Sequence, residues 1–222
     1  MKNVSVENSF VFIHVPKCGG TSISRAIFGE RGIFDQKFHE AEHLNYSFYS
    51  NFLEQIGLSI SSFFVFSFVR SPYSRIYSHW NFLRSCYRKR HSHHFLKIFD
   101  NHNLLYFLDD PNKFVECVFM HRIEYSLGCR SNAHKYLANV FAPQVFWFDY
   151  DISKLNFLGK FENIENDFQQ ISERISCNST LPHVNKTSFK EDEYLDFLNA
   201  SSIEKINKMF YIDFKLLGYS FI

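Results

Sequence analysis

Two runs of consecutive apolar residues stand out along the chain: residues 9–15, SFVFIHV, and residues 63–69, FFVFSFV. Apolar residues at successive rather than alternate positions mark strands covered on both faces, as in a parallel sheet. A helix signal follows each run. From Thr21 to Phe28, Ile23, Ala26 and Ile27 fall on one helical face. Pro72 suits the first turn of a helix running to about Arg84. Residues 145–150 (VFWFDY) and 156–161 (NFLGKF) predict two more strands. Asn163 predicts the N-cap of a helix reaching Ile175, and Ser201 with Glu204 predicts a capping box. Residues 85–140 predict mostly helices and loops. Tyr194, Phe197, Phe210 and Phe214 read as core positions. Buried strands alternating with helices predict an α/β fold, a central, mainly parallel sheet flanked by helices and joined by right-handed crossovers.

The chain has 222 residues and shows no internal repeat or low-complexity linker, so one domain spanning 1–222 is expected. A net charge of +1 gives no global basic field and argues against nucleic acid as a partner. The five cysteines, at 18, 86, 117, 129 and 177, form no C-x-x-C. Their odd number argues against a complete disulfide framework and for the reducing cytoplasm. The polar start MKNVSVENSF does not read as a signal peptide, and no apolar run approaches a membrane span. N-x-[ST] occurs at Asn3, Asn45, Asn178, Asn185 and Asn199, read as composition rather than as glycosylation sites.

Chemistry enters between the first strand and helix, where the chain reads Pro16-Lys17-Cys18-Gly19-Gly20-Thr21-Ser22. Two glycines let the backbone approach a ligand closely. The amides of Gly20, Thr21 and Ser22 would face outward at a helix N-terminus, where the macrodipole favours an anion. Thr21 and Ser22 add hydroxyls, and Lys17 adds a mobile point charge. The lysine precedes the glycines, whereas in the Walker loop it follows them. The second strand ends in the same manner, with Arg70 at its tip and Ser74 and Ser78 on one face of the next helix, while Arg75 points elsewhere. Two anion sites in this order suit one ligand with two separate phosphates.

HVPKCGGTSI and FVRSPYSRIYSHW resemble the 5′-phosphosulfate loop and the 3′-phosphate site of the carbohydrate sulfotransferases of the family 2 type. The resemblance continues through APQVFWFDY, FLGKFENIENDFQQI, LPHVNKTSF and MFYIDFKLLGY, in that family's order, from about residue 10 to 219. Cys18 stands where threonine is common, and Ser71 where aspartate or asparagine is common; residues 85–130 match nothing in the pattern. The likeness implies a P-loop-like sulfotransferase fold. It also implies the co-substrate 3′-phosphoadenosine 5′-phosphosulfate (PAPS) and a carbohydrate or glycoconjugate hydroxyl as acceptor. Carried over, Lys17, Cys18, Gly19, Gly20, Thr21 and Ser22 would hold the 5′-phosphosulfate, and Arg70 and Ser78 the 3′-phosphate. Lys186 and Thr187 would line the nucleotide, while Phe161 and Glu162 would serve the fold.

Sulfuryl transfer is an in-line displacement between two oxygens, so positioning and charge stabilisation supply most of its catalysis. Lys17 would meet charge developing on the leaving 5′-phosphate. The sulfuryl group carries less charge than a phosphoryl group, so no metal is expected. The resemblance implies a general base upstream of the second strand, commonly a histidine: His39 first by the family's spacing, then His43, with Glu40 and Glu42 behind them. His14, inside the first strand, reads as a core or near-site residue. The basic block Arg84–His94 reads either as a rim recruiting an anionic acceptor or as a solvated helix end. His91, His93 and His94 supply no ordered metal-ligand set, and His121, His134 and His183 are scattered. Two alternatives remain: a P-loop kinase of nucleotides or small molecules, and a non-catalytic nucleotide-binding module.

Overall fold

The apolar runs form the centre of a four-stranded sheet in the computed structural model, which describes residues 3–29, 43–89, 94–177, 179–182 and 193–222. The strands are β1 (Val4–Ser5), β2 (Phe10–Ile13), β3 (Phe64–Val69) and β4 (Phe157–Lys160), lying side by side in that order. β2 and β3 are parallel, with Phe12 opposite Phe66, and β3 and β4 are parallel, with Phe66 opposite Phe157. Only β1 runs antiparallel, at the edge beside β2. The described helices are α1 (Gly20–Phe28), α2 (Tyr46–Gln55), α3 (Pro72–Arg88), α4 (His94–Asn101), α5 (Pro111–Ser126), α6 (Asn132–Val140), α7 (Ile164–Arg174), α8 (Ala200–Met209) and α9 (Tyr211–Leu217). The α/β class and the mainly parallel sheet are as the patterning predicts.

The chain divides into two compact units, each made of two segments. The first comprises residues 1–70 and 144–186, the second residues 71–143 and 187–222. The first unit holds the whole sheet with α1, α2 and α7. Every residue of β2 is buried, and so are five of the six of β3, which is why neither strand alternates. Beside β2, buried Asn3 accepts from Phe12 N–H through its carbonyl at 2.8 Å. The Asn3 side chain donates to the Tyr49 hydroxyl at 3.4 Å and accepts from Ser24 Oγ at 3.4 Å. The second unit is helical, around an aromatic core that includes Tyr73, Tyr77, Trp80, Phe114, Phe141 and Phe210. Phe210 and Phe214 are buried, Tyr194 packs against this core partly buried, and Phe197 is exposed.

Three expectations are corrected. Residues 145–150 are not a strand: Gln144–Phe148 is a 3-10 helix, and Asp149 and Tyr150 close it with left-handed φ of 53° and 61°. The capping box is replaced by Asn199, whose side chain accepts from Ser202 N–H at 2.9 Å, while Glu204 pairs with Lys208. Asn163 does precede α7 but makes no side-chain cap; it donates instead to Asp167. α3 continues to Arg88, so Arg84 belongs to a helix, where its guanidinium lies 4.9 Å over the Trp80 ring. Residues 90–93 of the basic block lie outside the described residues.

Candidate functional site

The turn from β2 to α1 is built around two left-handed residues, Lys17 at φ 68° and Gly19 at φ 81°. A non-glycine residue in this region is strained, on the order of 1–3 kcal/mol, and such strain concentrates where a backbone is shaped for a ligand. Between them Cys18 is pinned inward. Its thiol is 1% exposed and donates to the Gln144 side-chain carbonyl at 3.2 Å, with the Pro16 carbonyl at 3.6 Å. A small donor at this position reaches a buried amide. Lys17, its neighbour, is only half-buried.

The glycines are required by close approach. A Cβ on Gly20 would lie 1.9 Å from His14 Nε2, and one on Gly19 would lie 2.5 Å from Ile164 Cδ1 and 3.1 Å from the Phe161 ring. α1 has no acidic residue in its first turn and no side-chain cap. The Ser22 N–H is bonded to the Gly19 carbonyl at 3.0 Å, so its amide is committed within the turn, contrary to the expectation of three outward amides. Gly20 and Thr21 open the helix and have no preceding helical carbonyl to bond. With the positive end of the helix dipole and the Lys17 ammonium, they make an arrangement suited to an anion.

Gln144 links this loop to the end of β3. Its Nε2 donates to the Arg70 carbonyl at 2.8 Å, and its Oε1 accepts from the Arg70 N–H at 2.8 Å. The Arg70 guanidinium lies 3.8 Å over the Phe161 ring. Phe161 therefore supports Arg70 and walls Gly19 at once. Sequence reasoning assigned Phe161 to the fold and gave Gln144 no role; the only signal was the Pro143-Gln144 pair within APQVFWFDY.

His43 lies in the same unit. Its Nδ1 is 2.9 Å from the His14 backbone carbonyl, and its ring meets the His14 ring edge-on with centroids 4.4 Å apart. A carbonyl can only accept, so in neutral His43 the proton is on Nδ1 and the lone pair on Nε2. Asn45 anchors the segment: it caps α2 by accepting from Phe48 N–H and donates to Asp149 at 3.0 Å. Trp147 is 6.1 Å from His43 between ring centroids, and its buried Nε1–H has no acceptor among the described residues. His39, Glu40, Glu42, His183, Lys186 and Thr187 lie outside the described residues.

In the second unit Ser78 is half-buried on α3. Ser74, on the same face, is buried with its hydroxyl 3.5 Å from the Ser71 carbonyl. Arg75 is committed to the fold. It is 1% exposed and donates to the Ala142 carbonyl at 3.0 Å and the Val140 carbonyl at 2.6 Å, closing the end of α6.

Compared with known proteins, residues 2–220 match the model of a family described as "Sulfotransferase family". No curated protein and no solved structure matches the chain.

Proposed function

The chain belongs to the sulfotransferase family, and from that premise we propose that it transfers the sulfuryl group of PAPS to a hydroxyl of a carbohydrate or glycoconjugate acceptor. The observation that supports this best is the turn at residues 16–22. It sets a half-buried lysine, two tightly packed glycines and a helix start within one turn of the chain. This suits a 5′-phosphosulfate, whose leaving oxygen a lysine at the head of the loop would meet.

In this reading PAPS supplies an activated sulfuryl group joined to a 5′-phosphate. Lys17 and the Gly20 and Thr21 amides hold the phosphate and stabilise the charge it gains as the bond breaks. Gly19 and Cys18 keep the turn in shape, and the Thr21 and Ser22 hydroxyls complete the cradle. Arg70 and Ser78 are assigned to the 3′-phosphate, and Lys186 and Thr187 to the nucleotide, from their motifs. Of the two histidines proposed as base, His43 is supported by its position, held at the His14 carbonyl in the unit that carries the loop. His39 is its rival. The transfer step requires no metal. The five cysteines, all free thiols, support a cytoplasmic setting. Among the described residues no helix is long and apolar enough to cross a membrane. An anionic glycan is the acceptor favoured by the basic end of α3.

Thermal stability measured with 3′,5′-adenosine bisphosphate and with ATP-Mg²⁺ tests this. Stabilisation by the bisphosphate without metal supports the reading, because a ligand that binds only the folded state raises its melting temperature. Stabilisation by ATP-Mg²⁺ alone would identify a kinase. Binding of the bisphosphate with no sulfuryl transfer across a panel of labelled acceptors would identify a binding module.

A further inference from the structure

The second unit brings together three metal-competent side chains that the transfer chemistry does not use. His121 and Glu124 lie one turn apart on α5, and His134 lies in the first turn of α6. One donor atom from each lies within 4.8 Å of the other two. The His134 Nε2 and Glu124 Oε2 atoms are 2.7 Å apart, and the two imidazole centroids are 4.9 Å apart. All three residues are half-buried.

Neighbouring groups orient both imidazoles. His121 Nδ1 is 2.8 Å from the Cys117 carbonyl. That oxygen can only accept, so in the neutral ring the proton is on Nδ1 and the Nε2 lone pair is available. His134 Nδ1 is 2.6 Å from Ser131 Oγ, the hydroxyl that also caps α6 by accepting from His134 N–H at 3.2 Å. When the imidazole donates to that hydroxyl, His134 Nε2 presents a lone pair to the Glu124 carboxylate. Without a metal, that spacing is a hydrogen bond from His134 Nε2–H to the Glu124 carboxylate, with the Ser131 hydroxyl donating to Nδ1; a cation would take the place of that proton. Imidazole ligands with Nδ1 engaged by an oxygen are the usual outer arrangement of protein metal sites.

We propose that His121, Glu124 and His134 form a binding site for a divalent cation of zinc's class. Two imidazole nitrogens and one carboxylate suit zinc better than magnesium or calcium, which take oxygen ligands almost throughout. Metal–ligand bonds of about 2.0–2.1 Å in a tetrahedron separate the donors by about 3.3 Å. The Glu124–His134 pair must open by about 0.6 Å from its 2.7 Å spacing and His121 must draw in. Glu124, with 43% of its side chain exposed, has room for that adjustment. Three protein ligands leave a fourth position to water. The bound ion would tie α5 to the first turn of α6 across residues 127–131.

The test uses the full chain, stripped with a chelator and titrated with Zn²⁺ by calorimetry and by thermal shift. One saturable site is expected, with a higher melting temperature when filled. Glu124→Gln and His121→Ala, both at half-exposed positions, should each weaken that site at least tenfold while circular dichroism stays unchanged. His91→Ala, His93→Ala and His94→Ala combined should leave it intact. The proposal fails if the wild type shows no saturable site. It also fails if binding survives Glu124→Gln and His121→Ala but is lost with the three-histidine variant.

Discussion

Gln144 satisfies both backbone groups of Arg70, each at 2.8 Å, as a neighbouring strand would, although Gln144 itself opens a 3-10 helix. The same Oε1 accepts the Cys18 thiol. One buried amide thus fixes the tip of β3 and the loop after β2 together. Gln144→Ala removes the side-chain partner of both Arg70 backbone groups and the shorter of two contacts of the Cys18 thiol, at about 1–3 kcal/mol for each buried group stranded. A lowered urea midpoint with an unchanged slope is expected. Gln144→Glu keeps both acceptor contacts but cannot donate to the Arg70 carbonyl, so it should also destabilise. Wild-type stability in either variant would remove the clamp.

Lys17→Ala should lower the rate of sulfuryl transfer by about two to three orders of magnitude, as loss of one transition-state donor does. Bisphosphate affinity should fall far less. His43→Ala should also lower the rate, by about 10²–10⁴-fold, with bisphosphate affinity unchanged. If His39→Ala does this and His43→Ala does not, the base is His39. Single-turnover rates and equilibrium binding separate these cases.

Gly20→Ala would drive a methyl group into the His14 imidazole. The expected result is a loss of about 1–3 kcal/mol together with weakened bisphosphate binding. His14→Ala in the same chain removes the obstructing ring. The double variant should recover part of the affinity that Gly20→Ala loses. Strict additivity of the two changes would show that they do not meet.

Burial pushes the Tyr49 phenol from 10.0 up to about 12, against a smaller opposing effect of the Asn3 hydrogen bond. Burial, with a smaller effect from the Glu124 carboxylate, pushes the Cys117 thiol from 9.0 up to about 12. Both groups hold their protons longer when folded than when unfolded. Their stabilisation is fully present below the unfolded values and is lost as pH rises through about 9–12. Stability measured from pH 8 to 12 should fall across this window. Above about pH 10 the phenol alone should remove about 1.4 kcal/mol per pH step of one, and Tyr49→Phe should flatten that part of the curve. An unchanged slope in Tyr49→Phe would place the phenol in water.

The parts legible in the sequence are those where burial is symmetrical. β2 and β3 are covered on both faces, and their unbroken apolar runs say so. The loop was legible because Gly19 and Gly20 break the pattern between strand and helix. Residues 145–150 misled because their aromatic and β-branched composition is that of a strand. What defeats it is Gln144, whose side chain takes the hydrogen bonds a strand's backbone would make. The second unit was opaque for another reason. α5 buries Phe114, Val115 and Val118 yet exposes Met120 and Ile123, so apolar residues on its open side blur the helical period. His121, Glu124 and His134 looked scattered because only the pairing of α5 with α6 gathers them.

The division of each unit into two segments bears on how the chain is made. After β3 leaves the ribosome, about ninety further residues must be synthesised before Phe157 arrives opposite Phe66. At ordinary translation rates that is roughly five to eighteen seconds. Throughout that interval the strand FVFSFV has one bare edge, a template for pairing with any other nascent chain. The sheet of this protein can be completed only after the whole of residues 71–143 has been threaded out ahead of its last strand.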